Sequence, residues 1–184
     1  MPVSEVDICN VSLGLLGADK IMDLADSDDC AINYPMCRDA ALEDVDWSFA
    51  IERFSNGSPD TTPPAYGYAY RFLLPTRVIR VIEVNGNLYD WERESNYIIT
   101  DQSSIEYRAV IRVTDVRLFS PSFTQMLAFR LAATISIPIT NSASLGEKMW
   151  QMYAALKFSA QGNDGRQGTT KTIRRGKTMR SRTS

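Results

Sequence analysis

The chain has 184 residues, 44% of them hydrophobic and 23% charged, which is enough to bury a core of its own. It contains no histidine, so every histidine-dependent catalytic triad or metal site is excluded. The formal charge of −2 hides a polarity, because residues 1–60 carry 3 basic and 13 acidic side chains whereas residues 165–184 carry 7 basic and none acidic, a division that points to a charged partner.

Ser4, with Asp7 three residues on, predicts a capped helix that ends near Gly17. Val6, Ile8, Cys9, Leu13 and Leu16 form its apolar stripe, with Asn10 and Ser12 on the wetter side. The alternating segment from Ala18 to Asp26 is expected to wrap the helix end. Asp26-Ser27-Asp28-Asp29 lacks the glycine and the distant glutamate of a calcium loop, so its acids read as caps and solvated groups. A second helix is predicted from about Asp28 into the region of Trp47. Cys30, Tyr34, Cys37, Ala41 and Val45 face inward, Arg38, Asp39, Glu43 and Asp44 supply a polar face, and Pro35 bends it or marks a boundary. Cys9, Cys30 and Cys37 form no CxxC pair and fall at apolar positions, which reads as buried thiols in a reducing compartment.

Asn56 to Pro64 is a linker by composition and marks the crossing into a sheet. From Pro63 to Pro75, Tyr66, Tyr68, Tyr70 and Phe72 alternate at a spacing of two, which predicts one aromatic strand. Arg77 to Val84, the turn dipeptide Asn85-Gly86 and Leu88 to Glu92 predict a hairpin. Tyr97 to Thr100 and Ser104 to Val113 read as a further pair around Asp101-Gln102. In the last of these strands Ile105, Tyr107, Ala109 and Ile111 face a dry side and Glu106, Arg108 and Arg112 a wet one.

Helical character resumes at Ser120-Pro121. Apart from Arg130 the following helix is apolar almost all round, so the fold or a neighbouring subunit must cover it. Phe123, Leu127, Phe129 and Arg130, with Trp150 and Tyr153 of the next helix, are therefore the subunit-interface candidates. Pro138 is expected to end the first of these helices, Ser144 with Glu147 to cap the last, and Gly162 to stop it. Leu145, Met149, Met152 and Leu156 make the last helix's stripe. The segment from Asn163 onward cannot build a core, and about 20 residues of it could reach roughly 65 Å when extended. The expected fold class is therefore α+β: a bundle of about four helices (1–62 and 114–163), an inserted small antiparallel β-domain (63–113) and an extended basic C-terminal arm (164–184).

No phosphate-binding loop or dinucleotide fingerprint occurs. Carboxylate pairs such as Glu43 with Asp44 or Glu92 with Glu94 read as solvated faces, so no catalytic, cofactor or metal site is assigned and no enzyme is expected. No apolar run approaches the roughly 20 residues that span a bilayer, and Met1-Pro2-Val3-Ser4-Glu5 lacks a basic region followed by an apolar one. A cytosolic site of synthesis is the expectation.

Four segments, taken in order, resemble the tail tubular protein A family, the head-to-tail adaptors of short-tailed bacteriophages. They are Ile8 to Ala18; Arg38 to Leu42 with Trp47-Ser48-Phe49-Ala50; Pro64 to Tyr70 with Leu74-Pro75; and Phe119 to Phe123 with Leu127 to Ala132. The likeness covers roughly residues 4–160. It implies assembly as a ring, usually of twelve copies, beneath the portal protein of the virion, with a nozzle or tail tubular protein B-like partner below. Genomic DNA would pass through the channel without sequence-specific contact. The virion's head-to-tail junction is then the expected location, with synthesis in the bacterial cytoplasm and no membrane partner. Family adaptors clasp the portal with C-terminal segments, which gives Arg166, Lys171, Ile173, Arg174, Arg175, Lys177, Met179, Arg180 and Arg182 a portal-binding role. The alternative is a nucleic-acid-binding module whose arm grips phosphates. Against that alternative, the arm has no aromatic residue to stack on bases, and the rest of the chain is acidic.

Overall fold

Ser4 opens the fold as its spacing to Asp7 requires. In the computed structural model, which describes residues 4–164, its hydroxyl accepts from the Asp7 N–H at 3.1 Å, and the Asp7 carboxylate accepts from the Ser4 N–H at 2.9 Å. Two donors left over at the start of α1 (Glu5–Leu16) are thereby satisfied. Gly17, with φ 72°, ends the helix in the left-handed conformation that a side chain would resist. Asn10 grips the returning loop by accepting from the Ile21 N–H at 2.8 Å and donating to the Ile21 carbonyl at 2.9 Å. Ser12 corrects the sequence reading: it is fully buried, and its hydroxyl reaches the carbonyls of Ile8 and of Ala128, each at 3.0 Å.

Ser27 caps α2 (Asp28–Asp44), which carries Pro35 in its interior and stops short of Trp47. The buried Trp47 indole instead donates back to the Ala41 carbonyl at 3.0 Å. Cys9, Cys30 and Cys37 are all buried free thiols. Arg38, expected on the polar face, is buried and pairs with Asp39 at 2.8 Å.

The central element is α3 (Pro121–Thr140), against which α1, α2 and α4 (Ala143–Asp164) all pack. The chain itself therefore covers most of this apolar helix, with Phe123, Met126, Leu127, Leu131 and Ile135 fully buried and Ile137 near its end left exposed. Trp47, Phe49 and Phe119 close around Phe123 with ring centroids 4.7 to 5.2 Å from it. Each such pair contributes about 0.5–1.5 kcal/mol beyond its burial. Pro138 does not end α3; the helix runs on to Thr140 and closes at left-handed Asn141. The cap of α4 also lies two residues before its predicted place, since Ser142, not Ser144, accepts from the Leu145 N–H at 3.3 Å. Gly162 does not stop α4, which continues to Asp164. Its inward stripe is rotated as well, with Met149, Tyr153 and Ala160 buried and Met152 exposed.

Among the described residues six strands form two three-stranded antiparallel sheets. One has the order β1 (Ile51–Asn56), β6 (Ile105–Ile111), β3 (Val78–Val84), and the other β2 (Tyr70–Leu73), β5 (Tyr97–Thr100), β4 (Trp91–Glu94). Three expectations change. The aromatic run is a strand only from Tyr70, because Gly67 (φ 88°) breaks it and Tyr66 is 89% exposed. The predicted hairpin does not form: Asn85, Gly86 and Asn87 all take positive φ, which carries the chain from one sheet to the other. A hairpin instead joins β4 to β5, with Ser95 (φ 52°) in its two-residue turn. Tyr97–Thr100 pairs with β2 and β4, and not with the following strand.

The β region begins at Ile51, ahead of the linker, where β1 pairs with β6 from Ile51 opposite Val110 to Asn56 opposite Ile105. The two sheets enclose a second core of Phe72, Leu74, Val81, Val84, Ile98, Ile105 and Tyr107. The face of β6 expected to be wet is dry at its end, because fully buried Val110 joins Val113 and Ala50 in the helical core. Arg112, bonded to Asp39 at 2.6 Å, and Arg80, paired with Asp46, fasten the sheet to α2 and the residues after it. The α+β class is thus realised as four helices and two small sheets.

Candidate functional site

Helix α4 brings its side chains onto α3 in antiparallel order, with Gly146 against Ser136 and Tyr153 against Arg130. The bare backbone at residue 146 makes the close approach easy: a Cβ there would overlap Ser136 Oγ, so that hydroxyl would have to move. About two turns further along, the polar groups of three helices converge. Asp44 of α2 accepts from Arg130 Nη1 at 2.8 Å, from Lys157 Nζ at 2.7 Å and from the Tyr153 hydroxyl. Arg130 also donates to the Tyr153 oxygen at 2.7 Å and lies 5.6 Å from the Trp150 ring centroid.

Burial alone would raise the Asp44 pKa. The hydrogen bonds from Lys157 and Tyr153 and the charges of Lys157 and Arg130 outweigh it and hold the carboxylate below its usual range. Burial, then the bond to Asp44, push the Tyr153 phenol up. This arrangement locks helices together. It offers no group poised to exchange a proton, because Asp44 is kept ionised and Tyr153 kept neutral.

Of the six interface candidates, the structure unites Arg130, Trp150 and Tyr153 in this network. Phe123 and Leu127 are corrected: both are fully buried in the chain's own core and cannot reach a neighbour. Phe129 is partly buried against that core, and Tyr153 is buried. Only Trp150 keeps a broad outer surface, 42% exposed, on a helix whose main partner is α3 and which also exposes Met152 and Phe158. The sequence reading missed Asp44, having placed it on a solvated face, although Tyr153 and Lys157 stand one turn apart on α4 and could have pointed to a shared acceptor. The arm residues from Arg166 to Arg182 lie outside the described residues.

A second concave region sits between β1, β3 and β6. It is about 400 Å³ in volume, and Arg53 and Arg108 line it from directly opposed positions. Arg108 pairs with Glu83 at 3.3 Å while its Nε is buried without a partner. Among the described residues no group of three potential metal ligands comes together, and no helix is long and apolar enough to cross a membrane. Comparison with protein-family models and with curated proteins finds no match to this chain.

Proposed function

We propose that the protein is a structural head-to-tail adaptor of a tailed bacteriophage, a ring-forming link between portal and tail around the DNA channel, and not an enzyme. The observation that carries this reading is the convergence of the resembling segments. Ser12 of the first segment bonds to Ala128 of the fourth, Trp47 and Phe49 of the second meet Phe123 of the fourth edge-to-face, and Phe49 packs at a tilt against Phe119. Segments far apart in the chain thus build one packed unit, which supports reading their resemblances together. The third segment differs, since its Tyr66 projects to solvent and is free to meet a partner.

The exposed side of α4 around Trp150, Met152 and Phe158 supplies an apolar surface for a neighbouring copy. The arm's cations would clasp the portal, and twelve copies would close the ring. The test is binding of full-length protein and of a variant lacking residues 164–184 to the portal ring of the same genome, with duplex DNA as control, followed by particle imaging. The adaptor reading expects closed rings on the portal with the full-length protein and none with the truncated one. Docking retained after truncation would remove the arm's role, and DNA binding without portal binding would overturn the reading itself.

A further inference from the structure

At one end of the bundle the first turn of α1, the loop at Asp23-Leu24 and the turn at Asp115-Val116-Arg117 surround a groove of about 490 Å³. Its floor is apolar, made by Val6, Leu24 and Val116, all partly buried. Its rim is acidic. Arg117 is neutralised by a two-pronged pair with Asp115 at 2.8 and 2.6 Å, so among the described residues no ion pair balances Glu5 or Asp23, whose carboxylate also accepts from the Ala25 N–H at 2.9 Å. An occupant must therefore bring an aliphatic side chain flanked by cations.

The chain carries such a segment and delivers it to this place. Because α4 runs antiparallel to α3, with Gly146 beside Ser136 and Tyr153 beside Arg130, its last residue, Asp164, lies level with the start of α3, a few residues from Val116. Helix α1, whose first turn lines the groove, and α4 both pack on α3, so the groove lies within roughly 20 Å of α4 at ordinary helix spacings. Nine residues separate Asp164 from Ile173 and span up to about 30 Å when extended. We propose that the segment Lys171-Thr172-Ile173-Arg174-Arg175 docks in this groove of its own chain. Ile173 sits on Val6, Leu24 and Val116, and the flanking cations face Glu5 and Asp23. The groove then competes with any outside partner for the same cations. The inference does not depend on the adaptor reading.

Zero-length carbodiimide coupling of lysines to carboxylates in the full-length protein tests it, using an equal mixture of light and heavy isotope-labelled copies. Coupling of Lys171 to Glu5 or Asp23 within single copies is expected, and Ile173→Asp should cut the yield roughly tenfold or more through loss of apolar burial. Glu5→Arg, at a partly buried first-turn position, should move the coupling to Asp23 and weaken it. Mixed light–heavy products would place the segment on a neighbouring copy and overturn the proposal. It would equally fail if the Met1 amine coupled in place of Lys171, if Lys171 coupled elsewhere regardless of Ile173→Asp, or if Lys171 gave no product.

Discussion

Replacing Asp44 by Asn removes the one anion that three helices share. Arg130 and Lys157, with side chains 21% and 34% exposed, would then face a neutral amide, and the Tyr153 hydroxyl would lose its charged acceptor. Breaking a buried pair costs about 3–5 kcal/mol and an exposed one about 0–1, so a carboxylate one-quarter exposed falls between, at about 2–3 kcal/mol. For a chain of this size that corresponds to a fall in Tm of roughly 4–12 °C. The sign with pH follows from the lowered carboxylate pKa. Stability from Asp44 is fully present above the unfolded-state value of about 3.9 and is lost as pH falls through the lower folded value. The gap between wild type and Asp44→Asn, measured by urea unfolding, should therefore stay constant from about pH 7 to 5 and narrow below about 4. A gap under about 0.5 kcal/mol at neutral pH, or one that persists unchanged in acid, would refute the reasoning.

Gly146→Ala gains about 1 kcal/mol of helix propensity, but its methyl overlaps Ser136 Oγ. A net loss of about 1–2 kcal/mol is expected, with most of it recovered in the Gly146→Ala/Ser136→Ala double variant; calorimetry of the two decides the point. Phe72→Ala should cost about 3–5 kcal/mol, whereas Tyr66→Ala should stay within about 0.5 kcal/mol, and equal losses in denaturant melts would restore the single aromatic strand. A hydrogen bond from the Cys9 thiol holds Cys30 at a pKa of about 7 and raises that of Cys9, yet both thiols are fully buried. Alkylation at pH 8 should therefore track unfolding by denaturant; fast labelling of Cys30 in the native protein would contradict its burial.

What the sequence by itself determined is local. The Ser4–Asp7 box, the Gly17 stop, the Ser120-Pro121 start and the inward rows of α2 and α3 follow from hydrogen bonds and side-chain spacing within a few residues, and they stand in the structure. Where a partner distant in the chain decides, that reading gave out. The strand β1 has only Phe54 as an apolar residue in its interior, so no alternation marks it, and its pairing with β6, some fifty residues on, makes it a strand. Asn85-Gly86 favours left-handed backbone in a hairpin turn, but so does a sharp exit, and adding Asn87 to the run sends the chain into the other sheet. Ser12 is polar by type and buried by position, because α3 presents a carbonyl to it. Asp44 lies among polar neighbours on α2, and only the packing of α3, which brings Arg130, and the antiparallel return of α4, which brings Tyr153 and Lys157, surround it with donors. Short-range steric and capping preferences are properties of a sequence window. The choice of strand partner, the burial of a hydroxyl and the convergence of charges on one carboxylate depend on which surfaces the packed helices bring within a few ångströms, and only the tertiary structure decides that.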